Sequence, residues 1–516
     1  MTHALDTLNL TTPLAVAHSG QLIQSVDWLA IAPPLIAAAA ALVVLVADLF
    51  LPTARKPVLG LLSIAGLALA LLSLIPLHAG TRSTFCLRTA SGAVDPTACS
   101  YAADHFALLF QLLVLAGALL VALLSVYGVG QDRLPAGEFW FLLLSSACGA
   151  ALLPAARDLA TLVIALEVTA LPSFALVGLR RDGRGGEAAL KFFLSSVTAT
   201  AVTLLGVSFV YAATGSLYLV RIASALPHAD PQLKTVAAVG AVLTLVGFAF
   251  KTAAVPFHFW VPDTYVGAPV PVAAYLSVVG KAAGLSGLAA IAVIGFHPYG
   301  RVWGTAVAVA AALTMTVGNV AALRQRGDAP DSAVRLLAWS SVAQAGYLLV
   351  PIAAAGFRPA RDPLGATLAF ALVYGLVNLG AFALAALLAG RVDDYRGLAR
   401  SRPATALAMA FFLLSLAGLP PGVVGLFGKF VVFRAAVDGG LGWLAVIMAV
   451  NVVLGLFYYL RWTAKLFQPT AAEAPLAARP LPLPLGLALG LTAVIGVVLS
   501  VAPQLVLQVV GVSLFG

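Results

Sequence analysis

Three lysines of this chain, Lys251, Lys281 and Lys429, lie deep inside long apolar runs, and one carboxylate, Glu167, does the same. A charged side chain at the centre of a bilayer costs about 2.5–3.5 kcal/mol on insertion scales, so such residues face a polar pathway or one another. The arginines are placed differently, clustered in the breaks between apolar runs. Lysine can give up its proton when buried, whereas arginine effectively cannot. An apolar interior that admits lysine and excludes arginine selects groups that titrate, and the chemistry they support is stepwise proton transfer. Glu167 and a lysine sharing low dielectric would each set the other's proton affinity. The competing reading is a set of static ion pairs cementing a bundle. It would need an acid for each lysine, and only one deep acid exists.

Other polar residues carry less. Lys191 follows Glu187 at i+4 near a predicted helix end, where snorkelling and a surface pair explain it as well as a relay does. His258 follows Lys251 closely and is either a proton-exchanging group at a helix break or an interfacial residue. Ser340, Ser341, Gln344 and Tyr347 fall in one predicted span, as a water wire or as helix–helix glue. Asp48 ends the first span and is expected to be solvated. No CxxC motif or His/Cys cluster points to a metal, haem or iron–sulfur site. Cys148 reads as a small packing residue. Cys86 and Cys99 share one loop, as a disulfide or as two free thiols.

The elements that must hold these groups are membrane helices. At 516 residues, 61% hydrophobic and 9% charged, the chain is not a soluble globular protein. A spanning helix needs about 20 apolar residues. Fourteen runs qualify, at 28–50, 57–78, 104–127, 138–156, 159–179, 188–213, 235–260, 268–296, 302–323, 335–357, 363–390, 404–436, 440–467 and 482–508. They are too long and too uniformly apolar for a β-barrel. The fold class is therefore an all-α polytopic membrane protein, one transmembrane domain over 1–516 with short connections between antiparallel neighbours.

The net charge of +9 is strung over many short loops, so it reads as a topology signal and not as a nucleic-acid footprint. With the N-terminus outside, the inner loops hold nearly twice the Lys and Arg of the outer ones, which places both termini outside. The first 26 residues contain no Lys or Arg and so lack the basic start of a signal peptide. The first span is expected to stay in the mature protein. The longest gaps are 79–103, 214–234 and the Pro-rich 468–481. Pro172, Pro256 and the Gly418–Gly422 stretch sit well inside spans. Lys251 lies five residues before Pro256 and Lys429 eight after Pro421. Two interrupted spans, one in each half and each with a lysine, are what an inverted-repeat transporter shows at its ion path.

The stretch GFAFKTAAVPFHFWVPDTYVGAPVPVAAYLSVVGKAA (247–283) resembles the core of the antiporter-like membrane subunits of respiratory complex I. LEVTALPSFALVGLRR (166–181), EAALKFF (187–193), GNVAALRQ (318–325), RLLAWSSVAQAGYLLV (335–350), DDYRGLARSRP (393–403) and SLAGLPPGVVGLFGKFVVF (415–433) follow in family order. Within the family the chain is most similar to the subunit N group of bacterial NADH-quinone oxidoreductase. Lys281 stands where subunits L and M usually carry histidine, and Lys429 where M carries glutamate. The resemblance implies 14 helices with two inverted five-helix repeats, at 138–296 and 302–467, preceded by helices from residue 28 and followed by a last helix at 482–508. It implies proton translocation in the bacterial cytoplasmic membrane, coupled to quinone reduction elsewhere in the complex. Glu167 and Lys251 match the family's acid–base pair, Lys281 its central lysine and Lys429 the lysine of the second broken helix. NADH, flavin, iron–sulfur clusters and quinone belong to partner subunits. The neighbours implied are subunit M and small subunits such as K and J.

Three departures stand out. Gln344 occupies a position where relatives often have histidine, the basic pair before that helix is reduced to Val334-Arg335, and the Cys86–Cys99 loop and the 325–332 insert look lineage-specific. A cation/proton antiporter subunit of the related exchangers shares the broken helices and lysines. A non-pumping scaffold is a rival of a different class. An unrelated solute carrier is disfavoured, since nothing resembles a substrate pocket.

Overall fold

In hydrocarbon the backbone must satisfy its own hydrogen bonds, and a helix does so within one segment, so each long apolar run becomes a helix. The computed structural model describes residues 26–88, 93–131, 134–358, 363–388, 390–469, 481–510 and 514–515. Thirteen helices among the described residues are long and apolar enough to cross a membrane. In chain order spans one to eleven are Ala32–Phe50, Thr53–Ala79, His105–Gly130, Ala136–Ala155, Leu159–Gly178, Gly183–Thr214, Lys234–Thr252, Val270–Gly295, His297–Leu323, Ser332–Ala355 and Leu364–Leu388. The thirteenth is Gly442–Phe467 and the fourteenth Leu483–Val501. The twelfth crossing is split into Pro403–Ala417 and Val423–Asp438. The seventh continues after a break as Trp260–Gly267. Pro172 lies inside an unbroken helix and interrupts nothing. The predicted N-terminal stretch and most of the Pro-rich linker fall outside the described residues.

Spans four to eight and nine to thirteen pair in the same way. The fourth packs on the fifth as the ninth does on the tenth. The second half of each broken span packs on the span before, whereas the first half of the seventh packs mainly on the sixth and that of the twelfth on both the eleventh and the thirteenth. Five crossings reverse the chain's direction, so the second unit is inverted relative to the first. The eighth and tenth spans form the centre and are almost wholly buried, whereas most of the sixth is not. The site therefore lies where these two spans meet the breaks.

The 79–103 gap holds an antiparallel hairpin, β1 (Arg82–Arg88) and β2 (Val94–Ala103), an addition to the helical plan. Cys86 lies opposite Cys99 and the two are disulfide-bonded. Tyr101 bridges Ala156, and Arg157 donates to Asp104 at 2.5 Å and to the carbonyls of Pro154 and Ala156. Arg221 reaches Asp95 at 2.5 Å, and Arg82 reaches Asp27 at 2.8 Å. The Phe106 amide donates to the Leu514 carbonyl, and Phe515 packs on the Phe106 ring. The N-terminal end of the described chain thus meets the hairpin at Asp27, and Leu514 and Phe515 meet the start of the third span just after it. Hydrogen bonds from Thr97 and then Arg221 hold the Asp95 carboxyl down at about 2. That carboxylate stays charged until pH falls well below the ordinary carboxylate range, so the Arg221 contact holds throughout the neutral range. Asp48, expected to be solvated, pairs with Lys56 at 2.9 Å.

Arg157 and Asp104 are both nearly buried, and removing one partner strands the other's charge. Asp104→Ala should cost about 3–5 kcal/mol, seen as a lowered thermal midpoint of the purified protein. Replacing both residues by leucine should recover much of that loss.

Candidate functional site: a row of buried lysines

Each broken span is ended by local chemistry. After Thr252 the chain enters the left-handed region at Ala253 (φ 64°), with the Ala253 amide on the Phe250 carbonyl and the Ala254 amide on the Ala249 carbonyl, both at 3.0 Å. Pro256 then prevents the helix from resuming. In the twelfth span Gly418 (φ 85°) plays the same part, with the Leu419 amide on the Leu414 carbonyl at 2.9 Å and Pro420-Pro421 following. Glycine suits that conformation, whereas alanine holds it at a cost of roughly 1–2 kcal/mol. The freed backbone groups find partners inside the protein. The Val255 amide donates to Thr314 Oγ1 at 2.8 Å, and Trp260 Nε1 donates to the Phe250 carbonyl at 3.1 Å.

The three lysines lie beside these features. Lys251, 2% exposed, has an Nζ with no hydrogen-bond partner among the described residues. It stands 5.4 Å over the Phe192 ring, a cation–π contact. Its stem presses on the eighth span at Gly284, where a Cβ would come within 2.9 Å of Lys251 Cβ and 3.2 Å of its carbonyl carbon. Lys281 begins the α-helical stretch between two π-helical turns, Leu276–Gly280 and Ile291–Gly295. Such turns recur at functional sites because they re-aim side chains and loosen the backbone ladder. Lys281 Nζ donates to the Ser341 carbonyl at 2.6 Å and to Ser341 Oγ at 2.8 Å. Lys429 Nζ donates to the Leu416 and Ala417 carbonyls at 2.8 and 2.9 Å. It thereby caps the electronegative C-terminal end of the first half of the twelfth span. Tyr347 lies beneath it, 5.7 Å from Nζ to the ring centre.

A polar thread runs from Ser340, next in sequence to the Ser341 that holds Lys281, to Lys429. Ser340 Oγ and Tyr459 OH are 2.5 Å apart, and Gln344 Nε2 donates to Tyr459 OH at 3.1 Å and to the Leu416 carbonyl at 3.3 Å. That carbonyl is one of the two that hold Lys429. Sequence reasoning missed Tyr459 and its neighbours Tyr458, Asn319 and Asn451, which bond to one another between the ninth and thirteenth spans. The available signal was two adjacent tyrosines in an apolar run that ends in Arg461 and Lys465.

Other predicted site residues are placed elsewhere. Glu167 accepts from Thr200 Oγ1 at 2.5 Å and makes no hydrogen bond to Lys251, although its charge reaches that lysine. Lys191 is exposed and pairs with Glu187 at 2.7 Å and Asp263 at 3.1 Å. Asp263 also meets Arg335 at 3.3 Å, closing a charged cleft of about 340 Å³ apart from the lysine row. His258 is half-buried in the first break, its ring 5.8 Å from that of Trp339. Among the described residues no group of three or more His, Cys, Asp or Glu side chains is arranged to hold a metal.

Residues 156–455 match the family described as NADH:quinone oxidoreductase/Mrp antiporter, TM. The chain belongs to that family. It is 61% identical to NADH-quinone oxidoreductase subunit N 2 of Streptomyces griseus, over 99% of this chain and 98% of the relative. It is 43% identical to NADH-quinone oxidoreductase subunit N of Salinispora tropica over 86% of each. A chain of respiratory complex I from Thermus thermophilus superposes with a TM-score of 0.75 at 32% identity, over 92% of this chain and 98% of that one. A chain of the Mrp complex from Dietzia sp. DQ12-45-1b gives a TM-score of 0.77 over 94% and 96% of the two chains. At 22% identity that last likeness is one of fold alone. Within the family the chain closely matches the subunit N group.

Gly284 is the contact through which Lys251 touches the eighth span. Gly284→Ala should cost about 1–3 kcal/mol by forcing the two helices apart, lowering the thermal midpoint. Gly186→Ala, where a Cβ meets nothing within 4 Å, should leave the midpoint unchanged or slightly raise it.

Proposed function

We propose that the chain is the proton-translocating N-type membrane subunit of a bacterial NADH-quinone oxidoreductase. In this reading protons reach Lys251 from the cytoplasm, pass through Lys281 to Lys429 and leave on the outer face, with Glu167 setting the proton affinity of Lys251 through its charge. The carrying observation is that three buried lysines, none with a carboxylate within bonding distance among the described residues, follow one another from the first break to the second. Lys191, His258 and Tyr347 act around that row, by pairing, by water exchange and by cradling Lys429.

Moving one charge against 100 mV costs about 2.3 kcal/mol, so the subunit needs an external drive. Quinone reduction in partner subunits supplies it, where NADH, flavin and iron–sulfur clusters reside. Subunit M and small subunits such as K and J are the membrane neighbours. An ion-driven exchanger shares the fold, but 61% identity across almost the whole chain favours the oxidoreductase.

The test uses inverted membrane vesicles from the native host carrying Lys251→Ala, with assembly of the complex confirmed. NADH-driven quinone reduction and internal acidification should fall together by about tenfold or more, as expected when a required proton carrier is lost. Wild-type rates of both would make Lys251 structural and favour a scaffold role.

Both termini and the disulfide hairpin are assigned to the outer face, supported by loop charge and by the oxidising compartment a disulfide implies. In intact right-side-out cells an impermeant maleimide should label Cys86 and Cys99 only after an impermeant reductant. Labelling that requires opened cells would reverse the orientation.

A further inference from the structure

The ninth, eleventh and thirteenth spans run in the same direction, and a cleft of about 480 Å³ opens where the ninth and thirteenth end. Its polar lining is dominated by donors. Arg326 is satisfied by Asp328 at 2.9 Å, and the nearly buried Lys465 is paired with Asp393. Gly327 lets the connecting loop close over that second pair, since a Cβ there would stand 2.6 Å from both Lys465 Nζ and Asp393 Oδ1. Two donors remain. Arg461 is exposed on the rim and has no ion-pair partner among the described residues. Trp462 is 0% exposed, and its indole Nε1–H has no hydrogen-bond partner among them. Its ring is held edge-on against Tyr395, 5.4 Å between centres. A buried donor without an acceptor is rare in native structures, and an unobserved ion, water or ligand is the usual explanation. The rest of the wall is largely apolar, with Leu454 half-buried and Phe457 63% exposed.

We propose that this cleft binds an anionic phospholipid. Its phosphate accepts from the Arg461 guanidinium and the Trp462 N–H, and an acyl chain lies along Leu454 and Phe457. The planar fork of arginine matches two phosphate oxygens, and basic pockets between helix ends at a membrane face suit such headgroups. Free phosphate shares the headgroup chemistry but leaves the apolar wall uncovered. The inference stands apart from the lysine row, because none of its residues carries the proposed proton path.

The test uses the intact membrane complex purified from the native host, photolabelled with a diazirine-tagged phosphatidylglycerol or the matching phosphatidylcholine. Label on residues 454–465 should be about fivefold higher with the anionic lipid. Arg461→Gln should abolish that preference and Trp462→Phe should weaken it, with the complex still assembled and NADH oxidation unchanged. Equal labelling by the two lipids, no label in this segment, or full labelling in Arg461→Gln would overturn the proposal. So would complete competition by millimolar inorganic phosphate, which would identify the occupant as a free anion.

Discussion

Among the described residues, the three lysines of the row, Lys251, Lys281 and Lys429, are met by backbone carbonyls and an aromatic face, not by carboxylates. Lys281 rests on the Ser341 carbonyl, Lys429 on those of Leu416 and Ala417, and Lys251 on the Phe192 ring. A carboxylate would bind an ammonium group as one half of a neutral pair that is costly to separate. A carbonyl takes the same hydrogen bond without supplying a compensating charge. The arrangement keeps these groups out of water and yet un-neutralised, and much of the fold serves to provide it. Lys429 takes carbonyls freed where the first half of the twelfth span ends, whereas Lys281 shares a carbonyl inside the unbroken tenth span.

The two breaks share one plan and resolve it differently. Each closes with a left-handed residue followed by proline, at Ala253 and at Gly418. In the second break the lysine itself caps the open helix end. In the first, Trp260 takes the Phe250 carbonyl and Thr314 takes the Val255 amide. Lys251 is left with a ring face and a distant carboxylate. The repeats are thus alike in backbone and unequal in electrostatics. The amine without a hydrogen-bond partner among the described residues, Lys251, sits in the half that also carries Glu167, and the carbonyl-bonded Lys429 in the half that lacks a deep acid.

Much of this was legible in the residues. Run length finds the spans, because hydrocarbon leaves a helix as the only open structure, although the runs 235–260 and 482–508 overrun helices that end at Thr252 and Val501. The pairing of Lys251 with Pro256 and of Lys429 with Pro421 marked both breaks. Other parts were hidden for physical reasons. The 82–103 hairpin owes its place to docking against Ala156 and Arg221, contacts remote in sequence. The sequence also does not show that Glu167 acts on Lys251 without a direct hydrogen bond, with the Phe192 ring by the Lys251 amine and Thr200 donating to the carboxylate. Tyr459 meets Ser340 only because the thirteenth span packs against the tenth across the inverted unit, and no local pattern shows that.

Gln344 shows how a departure from the family pattern becomes physical. An amide cannot accept and release a proton as an imidazole can, yet it offers two N–H donors. Here they join Tyr459 OH to the Leu416 carbonyl and so tie the tenth span to the second break. The side chain makes this connection without being a group that titrates. Under the proposed relay, the passage from Lys281 to Lys429 then falls to hydroxyls and water around Ser341, Ser340 and Tyr459. The amide fixes the geometry of that passage, and the two lysines at its ends remain the only groups along it that change charge.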